Sequence, residues 1–250
     1  MTNFLIIIPT YKEEENIYGL IKAILALDTE FDILVIDDNS PDNTQNIVED
    51  LIRKWPGRVY LKKRPGKLGL GTAYLDGFNW TLEHHYKYIF EMDADFSHNP
   101  DDLEKILETT KQDSIGMSVG SRYKKGVAIV NWPMGRLILS YYASMYVRTV
   151  TGMSVRDATA GFVCYKREVL EKLDLDKIRM KGYGFQIEMK FKTWKLGYSI
   201  AEVPVIFINR EQGTSKMSGG IFSEALVGVL RMKISSLRGD YREYISRNYE

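Results

Sequence analysis

Two short apolar runs near the start of the chain, FLIIIP from Phe4 and DILVID from Asp32, constrain its fold more than any other feature. Neither alternates apolar with polar residues, so a strand made from either has both faces buried. Between them ENIYGLIKAILAL places Ile17, Leu20, Ile21, Ile24 and Leu27 at helical spacing. The alternation continues through NTQNIVEDLIRKW (helix), RVYLKK (strand), a glycine-bearing turn PGKLGLG that opens a helix to Leu82, YKYIFEM (strand), a helix over Pro100–Thr110, and SIGMSVGSR (strand). This order predicts an α/β domain with a mostly parallel central sheet covered on both sides. The chain's 250 residues suffice for one such domain.

The second half changes character. WPMGRLILSYYASMYVRTVTG and YGFQIEMKFKTWKLG read as amphipathic helices, the latter with Gly197 as its C-cap. SIAEVPVIFINR reads as a strand pair, or a strand bent at Pro204. From Gly219 the pattern is helical again. No linker composition intervenes, so the expected division is a catalytic domain over 1–216 and an amphipathic helical tail over 217–250. In that tail Ile221, Phe222, Ala225, Leu226, Val229, Leu230, Ile234 and Leu237 are expected on one apolar face, with Arg231, Lys233, Arg238 and Arg242 around or after it. Such a helix either packs on the domain or lies in a membrane interface.

The formal net charge of +1 gives no basic excess, so a nucleic-acid partner is not expected. A single cysteine, Cys164, sits in the apolar run AGFVCYK; it is expected in the core and fits a reducing compartment. No apolar run reaches the roughly 18–20 residues that cross a bilayer. The expected location is the cytoplasm, with peripheral contact to a membrane left open.

Polar residues gather where the parallel strands end, the edge at which open α/β sheets bind ligands. PTYKEEEN follows the first run, DDNSPDNT the second, DADFSHNP the fourth strand, and Gly120, Ser121 and Arg122 the fifth. The dinucleotide fingerprint and the P-loop are both absent. In extended backbone Asp93 and Asp95 face the same way, with Ala94 turned aside. Two carboxylates so placed repel unless a cation joins them, and a hard divalent ion, Mg²⁺ or Mn²⁺, suits an all-oxygen set completed by water and substrate phosphate. A same-side pair does not suit the flanking acid and base of a glycosidase. The three histidines form no metal cluster: His84 and His85 fall on an exposed helix end, and His98 reads as structural. Glu188 reads as a buried salt-bridge partner.

These pieces resemble a known family. IIIPTYKEEENI, VIDDNSPDNT, GLGTAY, MDADFSHNP and GSRY resemble, in order and spacing, the family 2 glycosyltransferases of GT-A fold, a Rossmann-like sandwich. NWPMGRLILS, DATAGFVCYKREVL, KGYGFQIEM and EVPVIFINREQGTSKM are similar to the polyprenol-phosphate (dolichol-phosphate) mannose synthases within it. The resemblance runs to about Lys216. It implies an inverting transfer of mannose from GDP-mannose to a polyprenyl monophosphate, dependent on Mg²⁺ or Mn²⁺, at the cytoplasmic face of a membrane. It implies that Pro9, Tyr11 and Glu13 line the nucleotide and that Asp37 or Asp38 meets its base or ribose. Asp93 and Asp95, with Ser97, would hold the metal on the diphosphate. Arg122, Arg136, Ser140 and Arg210, joined by Lys216, would surround the acceptor phosphate and the departing diphosphate. A UDP-sugar donor and a non-catalytic nucleotide-sugar-binding subunit are the alternatives.

Overall fold

The computed structural model describes residues 2–180, 182–208 and 220–238, with backbone alone for 220–225. Nine strands and eight α-helices follow one another among these residues. The first half runs β1 (Phe4–Thr10), α1 (Ile17–Leu25), β2 (Asp32–Asp37), α2 (Thr44–Lys54), β3 (Val59–Lys63), α3 (Leu70–Leu82), β4 (Tyr88–Glu91), α4 (Asp102–Thr110) and β5 (Ile115–Ser121). The second runs β6 (Ile129–Val130), α5 (Met134–Thr151), β7 (Val163–Lys166), α6 (Arg167–Lys172), α7 (Tyr183–Lys195), β8 (Ser199–Pro204), β9 (Phe207–Ile208) and α8 (Gly220–Leu237).

Seven strands form one sheet in the order β3-β2-β1-β4-β7-β5-β8. β1 shows why the uninterrupted apolar run was required. Its alternate residues Ile6 and Ile8 pack with Ile17, Leu20, Ile21 and Ile24 of α1. Leu5 and Ile7 turn the other way onto Ala73, Tyr74 and Phe78 of α3. Both faces of the strand are therefore core. Helix α3 lies so close to β1 that a Cβ on Gly77 would stand 2.7 Å from Ile7 Cγ2.

The chain leaves β1 for β2 on one side and returns to β4 on the other. That reversal opens a crevice beyond the carboxyl ends of β1 and β4. β7 is inserted between β4 and β5 and runs antiparallel to both, with Glu91 opposite Val163. AGFVCYK was expected to be core, and Cys164 is fully buried, but its strand was not anticipated. Because β7 points the other way, the segment entering it, Asp157–Phe162, arrives at the ligand edge.

The segment around Pro204, read as a strand pair or one bent strand, is instead two strands that part company: β8 joins β5 in the main sheet, and β9 pairs with β6 in a small second sheet. Helix α8 does not carry the single apolar face read from its sequence. Val229 and Met232 are buried in a cluster with Val147, Ile187 and Phe191, whereas Leu230, Ile234 and Leu237 point to solvent. The domain boundary expected at 216–217, the residues Arg210, Lys216 and Arg242, and the side chains of Ile221, Phe222 and Ala225 all lie outside the description.

Candidate active site

β4 ends at Glu91, and the acidic turn follows it over the crevice. Phe96 takes φ 58°, a left-handed turn that folds the segment back so that Asp93, Asp95, Ser97 and His98 line one cleft. The two carboxylates thus meet through a turn rather than through strand pleat, while Ala94 packs into the core as the spacing implied. The Tyr74 hydroxyl donates to Asp93 Oδ1 at 3.4 Å, and the Ser97 amide donates to Asp95 Oδ1 at 3.1 Å. His98 is buried against Phe162, with ring centroids 4.7 Å apart and nearly parallel. Its Nδ1 accepts the Asp93 amide at 3.1 Å, and burial lowers its pKa, so it stays neutral. The histidine read as structural thus fixes the backbone of a carboxylate that lines the cleft.

The opposite wall comes from the second half of the chain. Arg122, Trp132, Arg136, Thr159, Ala160, Gly161, Tyr183 and Phe207 complete the cleft. The Arg136 guanidinium stacks on Trp132 at 4.0 Å from the ring centroid. Ser140, one helical turn on, receives a hydrogen bond from the Tyr123 hydroxyl at 2.9 Å. Arg122 has a partner that the sequence reading did not name. It is buried, and its Nε and Nη2 grip the two oxygens of the fully buried Asp157 at 2.7 and 2.6 Å. Burial alone would lower its pKa, but the charge of Asp157, the hydrogen bonds to it, and Tyr123 and Tyr183 together raise it. Arg122 therefore lines the wall with its guanidinium held by Asp157 and tied also to Thr159 at 2.9 Å.

Beneath Ala160 lies a buried polar chain. Glu91 accepts from the Tyr165 hydroxyl at 2.9 Å and from the Gln186 side-chain amide. Lys190 donates to the carbonyl of Ala160 at 2.6 Å and to Gln186 Oε1 at 3.2 Å. Burial pushes the Glu91 carboxyl up to about 7 and lowers Lys190. Glu188 is the salt-bridge partner expected of it, 2.9 Å from Lys192.

The nucleotide-facing residues implied by the resemblance sit along the neighbouring strand ends. Pro9 stands one residue before the end of β1, Tyr11 lies under Lys67 at 4.5 Å, and the Glu13 amide donates to Thr44 at 3.0 Å. Asp37 is fully buried and takes hydrogen bonds from Thr10, Gln45 and both the amide and hydroxyl of Ser40. These bonds hold the loop that follows β2. Asp38 is paired to Arg64 at 2.5 Å and caps the amides of Leu68 and Gly69 at 3.1 Å each, which ties the PGKLGLG turn to this edge.

Among the described residues no group of three or more His, Cys, Asp or Glu is arranged as a metal cage. The oxygen set here is smaller: Asp93, Asp95 and the Ser97 hydroxyl. That hydroxyl is buried and has no hydrogen-bond partner, a costly arrangement unless something at the site uses it. Two carboxylates and one unsatisfied hydroxyl fit a hard ion that keeps its remaining positions for water and phosphate oxygens.

The glycosyl transferase family 2 model matches residues 5–174. This chain is a family 2 glycosyltransferase. The transferase is 42% identical over 242 residues to the polyprenol monophosphomannose synthase of Mycolicibacterium smegmatis, covering 95% of this chain and 91% of that one. It is 43% identical over 232 residues to the undecaprenyl-phosphate mannosyltransferase of Micrococcus luteus, covering 93% and 94%. Among solved structures, glucosyl-3-phosphoglycerate synthase from Mycobacterium tuberculosis, in complex with Mn²⁺, UDP-glucose and phosphoglyceric acid, superposes with a TM-score of 0.70. That match covers 92% of the transferase and 79% of the synthase at 16% identity, and it shows the GT-A-type fold.

The residues the sequence did not signal are Asp157, Thr159, Trp132, Tyr183 and Phe207. Asp157 reaches Arg122, and Thr159 the cleft, only because β7 is antiparallel, and Trp132 and Phe207 reach it only because β6 pairs with β9.

Proposed function

We propose that the transferase moves mannose from GDP-mannose to a polyprenyl monophosphate with inversion at the anomeric carbon, working peripherally at the cytoplasmic face of a membrane. The observation that carries the reading is near-full-length likeness to two proteins whose names specify polyprenyl-phosphate mannosylation. The cleft agrees with it chemically. Donor diphosphate and acceptor phosphate are both anions. Arg136 offers a planar, permanently charged fork held flat on Trp132, which suits phosphate better than an ammonium does. The acceptor phosphate needs no general base, because its second pKa of about 6 leaves it largely dianionic at neutral pH. One of its oxygens attacks the anomeric carbon from the side opposite the diphosphate, that bond forms as the sugar–diphosphate bond breaks, and the electron pair leaves on GDP.

Asp93, Asp95 and Ser97 are the residues that would hold Mg²⁺ or Mn²⁺. Such an ion, when bound, supplies charge to the leaving diphosphate. Tyr74 and His98 orient Asp93, and the Arg122–Asp157 pair fixes the wall that faces it. Pro9, Tyr11, Glu13 and Asp38 frame the nucleotide side. Ser140, Arg210 and Lys216 are assigned to the acceptor side.

The test is transfer of label to the organic phase from GDP-[¹⁴C]mannose or UDP-[¹⁴C]glucose with a polyprenyl phosphate. Mannose label should transfer, EDTA should stop it, and Mg²⁺ or Mn²⁺ should restore it. Asp95→Asn should lower turnover by roughly a hundredfold or more. Transfer of glucose instead would move the assignment to a UDP-sugar enzyme, and full activity after rigorous chelation would remove the metal.

A further inference from the structure

Thr159, Ala160 and Gly161 line the cleft, yet the segment that carries them, from Asp157 to Phe162, is neither helix nor strand. Its own turn is loose: the Ala160 amide reaches the Asp157 carbonyl only at 3.4 Å. The segment stands between two parts of the site. On one side Phe162 stacks on His98, which holds the Asp93 amide, and a Cβ on Gly161 would stand 3.9 Å from the same ring. On the other, the Thr159 hydroxyl receives Arg122. The place of this segment therefore sets the gap between the acidic turn and the arginine wall.

Two side chains from distant elements hold it from behind. Glu202 of β8 accepts the Asp157 amide at 3.0 Å and the Ser121 hydroxyl at 2.7 Å, both on Oε1, which fixes the start of the segment to β5 and β8. Lys190 of α7 donates to the Ala160 carbonyl at 2.6 Å, which fixes its middle. The other protons of that ammonium go to the Gln186 carbonyl at 3.3 Å and to Gln186 Oε1 at 3.2 Å. Lys190 is fully buried, and all three of these acceptors are uncharged. Burying an ammonium in this way is costly, and an apolar side chain of similar length often serves packing as well or better. The amine therefore has a use besides packing, and its shortest bond is to the cleft-lining residue. We infer that Lys190 and Glu202 are positioning residues for sugar transfer, which hold the Asp157–Gly161 segment at the distance from the acidic turn that the reaction needs. The effect on rate rests on the proposed transfer reaction; the anchoring can be measured without substrate.

The experiment uses the full chain and two readouts. Amide hydrogen exchange of the peptide spanning 157–162, followed by mass spectrometry without ligand, reads the anchoring. Turnover per nucleotide site, with sites counted by GDP calorimetry, reads its consequence, because inactive molecules then drop out of the rate. Lys190→Met should speed exchange of that peptide by about tenfold or more while β1 and β2 exchange as in wild type. It should lower kcat per site by about tenfold or more, with GDP affinity within about twofold of wild type. Glu202→Leu should do the same, and Glu202→Gln, which keeps the Oε1 acceptor, should return both readouts toward wild type. If Lys190→Met loses its thermal transition, the two Glu202 variants decide. Folded variants with wild-type exchange over 157–162, or with faster exchange there and wild-type kcat per site, would overturn the inference. So would exchange that rises equally throughout the molecule. Wild-type protein that transfers no mannose strikes the proposed reaction instead, and exchange over 157–162 then decides the anchoring on its own.

Discussion

Asp95 lines the cleft and Asp157 stands behind its wall, and the fold treats the two carboxylates in opposite ways. Asp157 is fully buried and meets a guanidinium on both oxygens. Asp95 lines the cleft beside Asp93 and a hydroxyl that lacks a partner. The second arrangement was legible in sequence because spacing and position at a strand end suffice to see it. The first was not, because Arg122 and Asp157 are 35 residues apart and nothing local marks the pair. The partners of Asp37 were hidden for the same reason: its four hydrogen bonds come from Thr10 at the end of β1, from the amide and hydroxyl of Ser40 in the loop, and from Gln45 in α2. With Arg122 committed to Asp157, Arg136 becomes the arginine to test for acceptor recognition. Arg136→Lys keeps the charge but loses the planar stack on Trp132 and the two-pronged grip. It should lower kcat/KM for polyprenyl phosphate by roughly tenfold or more while GDP-mannose affinity, measured by calorimetry, stays nearly constant. Weakened donor affinity with unchanged acceptor dependence would place Arg136 on the nucleotide side instead.

Among the elements, buried strands and amphipathic helices were legible wherever the apolar period was long enough to count. β7 escaped because it is four residues inside a longer apolar run, and direction is not written in composition. α8 escaped differently: its apolar residues surround the helix, so the pattern could not say which of them the domain would claim. The contact of α3 with β1 makes a sharp element-level test. A Cβ at Gly77 would stand 2.7 and 2.9 Å from the Ile7 side chain. Gly77→Ala should gain helix propensity yet lose net stability, by about 1–3 kcal/mol, because the strand cannot retreat from a filled core. Urea denaturation checks it, and an unchanged midpoint would mean the helix shifts without cost.

For the whole molecule, the buried chain Glu91–Gln186–Lys190 links the sheet to α7 and to the backbone under the cleft. Burial holds the Glu91 carboxyl protonated to about pH 7, against 4.5 for the ordinary group. The native state therefore binds an extra proton between those values. Its contribution is fully present below about 4.5 and is lost as pH rises through about 7. Glu91→Gln removes that titration. The difference in Tm between wild type and variant should thus shift against wild type as pH rises from 4.5 through 7. Parallel Tm curves across that range would show that Glu91 keeps an ordinary pKa.

The inserted strand also sets the order in which the sheet can be completed. β5 finds its neighbours only in β7 and β8, both of which follow it in the chain. A ribosome that has released β1 to β4 has delivered a sheet able to pair in sequence, β1 with β2, β2 with β3 and β1 with β4. When β5 emerges it has nothing to bond until Lys166 has also cleared the exit tunnel, and its final edge waits for Pro204. For that interval the growing chain exposes the open edge of β4 and an unpaired apolar strand, the kind of surface that invites chaperones or aggregation. The antiparallel strand that brings the Asp157 segment to the ligand edge thus makes the molecule wait for its own far end before its centre can close.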